Sequence, residues 1–144
     1  MIIDLLTQKD YCDYETCVAL KELGYVWSSR YYYTQRDHKF HYDAYNKFYT
    51  VRTADAMGYV LAVHLYDAQK WLREKKKIDV LIYLDDLKGY YYYIRVWNGT
   101  WEMAIKHDQL ALKGIIYNDS YEEALLEGVR ASIKILQDEQ KKSN

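Results

Sequence analysis

The chain has 144 residues, a formal net charge of −1 from 20 basic and 21 acidic side chains, 18 tyrosines and no proline. A chain of this length buries roughly 68–70% of its unfolded surface in one core, so a single domain over 1–144 needs neither disulfide nor metal for stability. Charge is even along it, residues 1–72 holding 8 basic and 9 acidic side chains and residues 73–144 holding 12 of each, which argues against a tail or half built for phosphate or an anionic membrane.

The first residues, MIIDLLTQKD, lack the cationic start and apolar run of a secretory signal. No apolar segment approaches the roughly 18 residues of a membrane span, and the reading is a cytoplasmic protein without a membrane role. Residues 1–12 show no periodicity and are expected as a short, disordered arm. Asp13 is placed as the N-cap of a helix over Tyr14 to Leu23 that Gly24 ends, with Cys17 and Leu20 turned inward. Cys12 and Cys17 are too few and too close to define a disulfide framework. Cys17 reads as a small buried hydrophobe rather than a reactive thiol. Val26 to Tyr33 and Lys39 to Tyr45, rich in aromatics, read as a hairpin around Thr34, Gln35, Arg36 and Asp37. Residues 46–63 follow neither period and are expected as a loop with a helical turn near Ala54 to Met57. Leu65 to Lys76 reads as a helix with Leu65, Ala68, Trp71 and Leu72 on one side and basic residues in its last turn.

Ile78 to Lys106 reads as an antiparallel meander of three strands. The loop Asp85 to Gly89 sets Leu84 opposite Tyr90, Ile82 opposite Tyr92 and Val80 opposite Ile94 on an apolar face. It sets Tyr83 opposite Tyr91, Leu81 opposite Tyr93 and Asp79 opposite Arg95 on the other. Asn98-Gly99 predicts a two-residue turn, pairing Trp97 with Thr100, Val96 with Trp101, Arg95 with Glu102, Ile94 with Met103 and Tyr92 with Ile105. Arg95 would then lie between Asp79 and Glu102, neutralised, on a face carrying Leu81, Tyr83, Tyr91, Tyr93 and Trp97, with Ala104 beside them.

His107 to Gly114 reads as a connection and Ile115 to Tyr117 as a short fourth strand. Ser120-Tyr121-Glu122-Glu123 is a capping box heading a helix to about Asp138, with Leu125, Val129, Ile133 and Leu136 inward and residues 139–144 expected to fray. The predicted order is α-β-β-α-β-β-β-α, an α+β fold with helices on the Ile82/Ile94/Met103 face. Each half begins with a helix leading into a tyrosine-rich hairpin, a faint internal echo.

The segments LYDAQKWLREKKKIDVLIYLDD and SYEEALLEGVRASIKIL resemble a group of small proteins found in gut bacteria and in their prophages and mobile elements, over about half the chain. In that group a proline commonly precedes the middle helix, whereas Leu61-Ala62-Val63 here has none, so the resemblance does not set where that helix starts. The group has no assigned function and implies no activity for this chain.

The candidate chemistry is sparse. His38 and His41 form H-x2-H near Asp37 and Asp43, but residues three apart on a strand point to opposite faces, which argues against a shared metal ion. His64 and His107 stand alone. Asp85 and Asp86 fit turn preference better than acid-base catalysis, which needs two groups converging on a pocket. No phosphate loop, nucleophile elbow or C-x-x-C site is present, so neither enzyme nor cofactor is supported. Residues 65–138 follow the α-β-β-β-α order of double-stranded-RNA-binding domains, yet the last helix opens with Glu122, Glu123 and Glu127, which would repel phosphate. The leading expectation is a non-enzymatic protein-interaction module, self-associating through Tyr83, Tyr91, Tyr93, Arg95 and Trp97 unless residues 25–63 cover that face. The alternatives are a single-stranded nucleic-acid binder using Arg30, Arg36 and Lys39 with the tyrosines of the first hairpin, and a small-molecule or enzymatic pocket beside 46–63.

Overall fold

The computed structural model describes residues 5–43, 45, 48–103 and 115–143. The chain divides into two compact units, Met1–His64 and Leu65–Asn144. The boundary falls where the second helix-then-hairpin passage of the sequence begins. The fold is α+β, and the major elements follow the expected order with shorter ones inserted between them.

In the first unit, helix α1 (Leu5–Gln8) precedes α2 (Tyr14–Glu22). Asp13 caps α2 as its sequence requires, its carboxylate accepting from the Thr16 N–H at 3.0 Å. Gly24, at φ 97°, supplies the left-handed residue just past the end. Replacing Asp13 by alanine is expected to cost about 1 kcal/mol in a urea titration, the usual loss for an N-cap. Residues 9–12, read from sequence as part of an arm, lead into the core. Cys12 is buried and its N–H donates to the Val63 carbonyl at 2.8 Å.

The expected hairpin is present but shorter. Strand β2 (Tyr31–Thr34) pairs with β3 (Phe40–Tyr42), Tyr33 facing Phe40, while β1 (Ser28–Ser29) pairs instead with β4 (Tyr49–Thr50). The helical turn expected near Ala54 to Met57 is present within a longer helix, but the loop expected around it is overturned by a strand on either side. Helix α3 (Val51–Met57) follows β4, capped by Thr50, whose hydroxyl accepts from the Thr53 N–H at 3.2 Å. Strand β5 (Tyr59–Leu61) then joins the sheet in the order β3-β2-β5. These elements are too short to show a period, and Val60-Leu61-Ala62-Val63 is buried throughout, so no alternation marks it as strand.

In the second unit, α4 (Leu65–Lys75) buries Leu65, Ala68 and Leu72. Strands β6 (Ile78–Asp85) and β7 (Gly89–Trp97) pair in the predicted register over its full length, from Ile78 opposite Val96 to Asp85 opposite Gly89. Asp85 closes the turn by accepting from the Leu87 and Lys88 N–H groups at 3.0 and 3.1 Å. The next turn departs from prediction. Strand β8 (Trp101–Met103) sets Trp97 opposite Trp101, Val96 opposite Glu102 and Arg95 opposite Met103, so the loop is Asn98-Gly99-Thr100, with Gly99 at φ 83°. Asn-Gly accommodates either length, because a three-residue loop also wants a glycine in the left-handed region. The longer loop brings the Trp97 and Trp101 rings to 5.5 Å, a cross-strand aromatic contact the two-residue loop would forgo.

A one-residue change in loop length reverses every side chain of the following strand. Met103 leaves the helix-packed face and Glu102 leaves Arg95, correcting both placements. The predicted partners Ala104 and Ile105 lie outside the described residues, as does the connection over 107–114. Helix α5 (Tyr121–Ser143) and α4 both pack on β6, and α5 also on β7, covering the face of Val80, Tyr92 and Ile94. Leu125, Val129, Ile133 and Leu136 are buried as predicted, while Asp138 is passed and the helix continues to Ser143. The capping box forms at one end only: Ser120 Oγ accepts from the Glu123 N–H at 3.1 Å, but Glu123 Oε2 reaches the Asp119 N–H, at 3.3 Å. No strand forms over Ile115 to Tyr117; Asn118 bridges Tyr90 instead, with N–H to carbonyl distances of 2.9 and 2.7 Å.

Candidate interaction surface

Alternation along β6 and β7 puts Leu81, Tyr83, Tyr91, Tyr93, Arg95 and Trp97 on the face opposite the helices. The three tyrosines form one cluster. Tyr83 stacks beside Tyr91 at 5.7 Å and meets Tyr93 edge-on at 5.6 Å, and Tyr91 meets Tyr93 at 5.5 Å. Such pairs contribute roughly 0.5–1.5 kcal/mol beyond the area they bury, so the rings hold one another in place. Tyr117 extends the cluster, 5.5 Å from Tyr91, with the Lys88 ammonium 5.5 Å above its own ring. The Tyr91 phenol is pushed above its ordinary value by loss of hydration first, then by Tyr93 and Tyr117. It is therefore a neutral donor and acceptor at physiological pH.

The reversed strand enlarges this face. Trp101 and Met103 join it in place of Glu102, and the Arg95 guanidinium lies 6.0 Å from the centre of the Trp101 ring. Sequence reasoning missed Trp101, Met103 and Tyr117 because their side depends on loop length and on Asn118, neither of which has a periodic signal. Tyr83 and Trp97 are each 45% exposed, and Leu81, Tyr91, Tyr93 and Trp101 are half-buried.

The charges at the rim are arranged differently from the expectation. Arg95 Nη2 reaches Asp79 Oδ2 at 3.2 Å, and Arg73 from α4 approaches Asp79 Oδ1 at 3.9 Å. A buried carboxylate thus lies between two guanidiniums, not a guanidinium between two carboxylates. Among the described residues this trio carries one more cation than anion.

The residues of the alternative readings are placed elsewhere, in the first unit. Arg30 lies over the Tyr42 ring at 5.3 Å and Lys39 approaches Asp37 at 4.0 Å. The Thr34 hydroxyl and the Lys39 N–H hold the Asp37 carboxyl below its usual range, so the hairpin tip keeps an anion beside its cations. His38 stacks on Tyr14 at 3.6 Å and His41 on Tyr32 at 5.4 Å, each occupied by a separate ring. Asp43 accepts from the Tyr49 hydroxyl at 2.6 Å, which pushes that phenol up to about 12. No group of three metal-ligating side chains occurs among the described residues, and no described helix is long and apolar enough to cross a membrane. Comparison with family models, curated proteins and solved structures returned no match for this chain.

Proposed function

We propose that this protein is a non-enzymatic protein-interaction module whose contact surface is the outer face of the β6-β7-β8 sheet. The observation that carries the reading is the gathering on one sheet face of two ring groups, Tyr117, Tyr91, Tyr83 and Tyr93 in one and Trp97 and Trp101 in the other, partly open to solvent. Tyrosine and tryptophan are the side chains most enriched at the centres of protein interfaces, since they supply large contact area at little cost in conformational entropy. Arginine is enriched with them, and Arg95 sits on the same face. A partner that covers the face is the simplest use of it, and a second copy of the chain is the simplest partner.

The test is charge insertion. Tyr91→Glu/Tyr93→Glu is expected to keep the circular dichroism of the wild type and to lose its association in sedimentation velocity. Equal sedimentation of wild type and variant at every concentration would remove the support. Nothing in the arrangement of Arg30, Arg36 and Lys39 favours a phosphate-binding reading over this one.

A further inference from the structure

The free edge of β6 gives a more specific answer than the face alone. Backbone groups in an antiparallel pair alternate between pointing at the partner strand and pointing away. The Trp97 N–H donates to the Lys77 carbonyl at 2.9 Å, which fixes the phase: Asp79, Leu81 and Tyr83 bond to β7, while Ile78, Val80, Ile82 and Leu84 turn their N–H and C=O outward. Two other contacts agree with that phase. The Gln69 side-chain amide donates to the outward Val80 carbonyl at 2.8 Å, and Tyr90, opposite Leu84, turns its own backbone groups away from β6 to Asn118. The first half of the edge is thereby closed by α4, through Gln69 and through Arg73 reaching Asp79. Among the described residues nothing bonds to the outward backbone of Ile82 and Leu84, and the Leu84 side chain is 55% exposed.

We infer that this edge is where two copies of the chain join, β6 antiparallel to β6 about a two-fold axis at Tyr83. In that register Ile82 of one copy faces Leu84 of the other and Leu84 faces Ile82. Each pair exchanges two backbone hydrogen bonds, and together they use the outward N–H and C=O of Ile82 and Leu84 on both strands. The second copy leaves the ladder at its Asp85, opposite Leu81, one residue before the carbonyl that Gln69 occupies. Charge selects the same direction. Strand β6 is preceded by Lys75, Lys76 and Lys77 and ends at Asp85, with Asp86 next and Lys88 two residues further on. Antiparallel pairing carries the acidic end of each copy toward the basic end of the other, whereas parallel pairing would align like charges. The cation left over around Asp79 is met in the same way, since Asp85 and Asp86 of the second copy arrive on the side where Arg73 crosses the edge. Tyr83 meets its own counterpart on the outer face, so the two ring clusters merge into one surface across a six-stranded sheet. The inference goes beyond the proposed face and rests on it only in that last contact.

Leu84→Pro tests it, because proline removes an outward N–H and is tolerated on an edge strand, leaving the β6-β7 ladder intact. Leu84→Lys is the second variant, placing a solvated charge where Ile82 of the other copy would pack. Wild type is expected to sediment as a dimer over a dilution series. Both variants are expected to fold with unchanged circular dichroism and to sediment as monomers. The Ile82 and Leu84 amides of the wild type are expected to exchange more slowly as concentration rises. A wild type monomeric at every concentration, or dimers in both Leu84 variants, overturns the edge. If the Leu84 variants stay dimeric while Tyr91→Glu/Tyr93→Glu is monomeric, the edge falls and the face reading stands. If the Leu84 variants are monomeric and the double glutamate variant remains a dimer, the edge stands and the face reading falls.

Discussion

On alkaline titration the Met1–His64 unit is expected to lose several kcal/mol of stability between pH 9 and pH 12, and Cys17 is expected to be a principal cause. Burial pushes its thiol from 9.0 up to about 12, against an opposing contribution from the Val63 N–H and with Asp13 adding to the rise. An acid whose folded value lies above its unfolded one contributes stability that is complete below the unfolded value and is lost as pH climbs toward the folded one. The interval from 9.0 to about 12 corresponds to roughly 4 kcal/mol at most, and the buried Tyr33 phenol shifts in the same direction. The geometry explains why neither group ionises readily. Tyr33 donates to the Cys12 carbonyl at 2.6 Å, and the Cys17 thiol contacts that carbonyl at 3.5 Å. Both are donors in a dry site, and removing either proton would leave an anion facing a carbonyl oxygen. Urea midpoints of wild type and Cys17→Ala across this pH range measure the effect: the variant should start less stable and show a shallower decline. Parallel declines would clear Cys17. At pH 8 the native thiol should also resist iodoacetamide that alkylates it in denaturant, as a structural cysteine does and a nucleophile does not.

The sequence held the β6-β7 register because alternation, loop length and the Asp79-Arg95 pair are independent signals that agree. It held the helices for a similar reason: Asp13 and Ser120 mark starts with hydrogen bonds that form, and Leu125, Val129 and Ile133 repeat at the helical period over a long stretch. It failed where one signal stood alone. Asn98-Gly99 marks a turn but does not distinguish two residues from three, and that single residue decides whether Trp101 and Met103 lie on the helix side or the ring side. It failed again over β4 and β5, and reached only the second half of α3, because the buried run from Val60 to Val63 has no polar position to reveal a period. The candidate surface was accordingly legible along its β6 and β7 rows and illegible along β8. The open edge could not be read at all, because which backbone groups turn outward depends on hydrogen-bond phase, which side-chain alternation does not specify.

Replacing Gly128 by alanine is expected to destabilise the second unit by roughly 2 kcal/mol, although the same change in an exposed helix would stabilise it by about 1 kcal/mol. Gly128 lies on the face of α5 that presses on the sheet, and a methyl group there would enter the volume of Val80 Cγ1 and come within 3.3 Å of Tyr92 Cβ. Neither neighbour retreats easily. Val80 is branched at the atom next to the backbone, and the Tyr92 contact is to the Cβ itself, so relief requires the helix to lift from the strands. Overpacking of this kind costs about 1–3 kcal/mol, which outweighs the gain in helix propensity. One turn further along the same helix, buried Ser132 donates to the Gly128 carbonyl at 2.8 Å, a bond within the helix that keeps the hydroxyl paired. A double-mutant cycle separates crowding from any effect on the helix itself. Val80→Ala alone should open a cavity and destabilise, but in the Gly128→Ala background it should recover stability, because the new methyl group takes the space the valine gives up. Additive losses would mean that α5 does not approach β6 as closely as the structure places it. A coupling of 1 kcal/mol or more in the stabilising direction, on the other hand, would locate the contact at these two side chains.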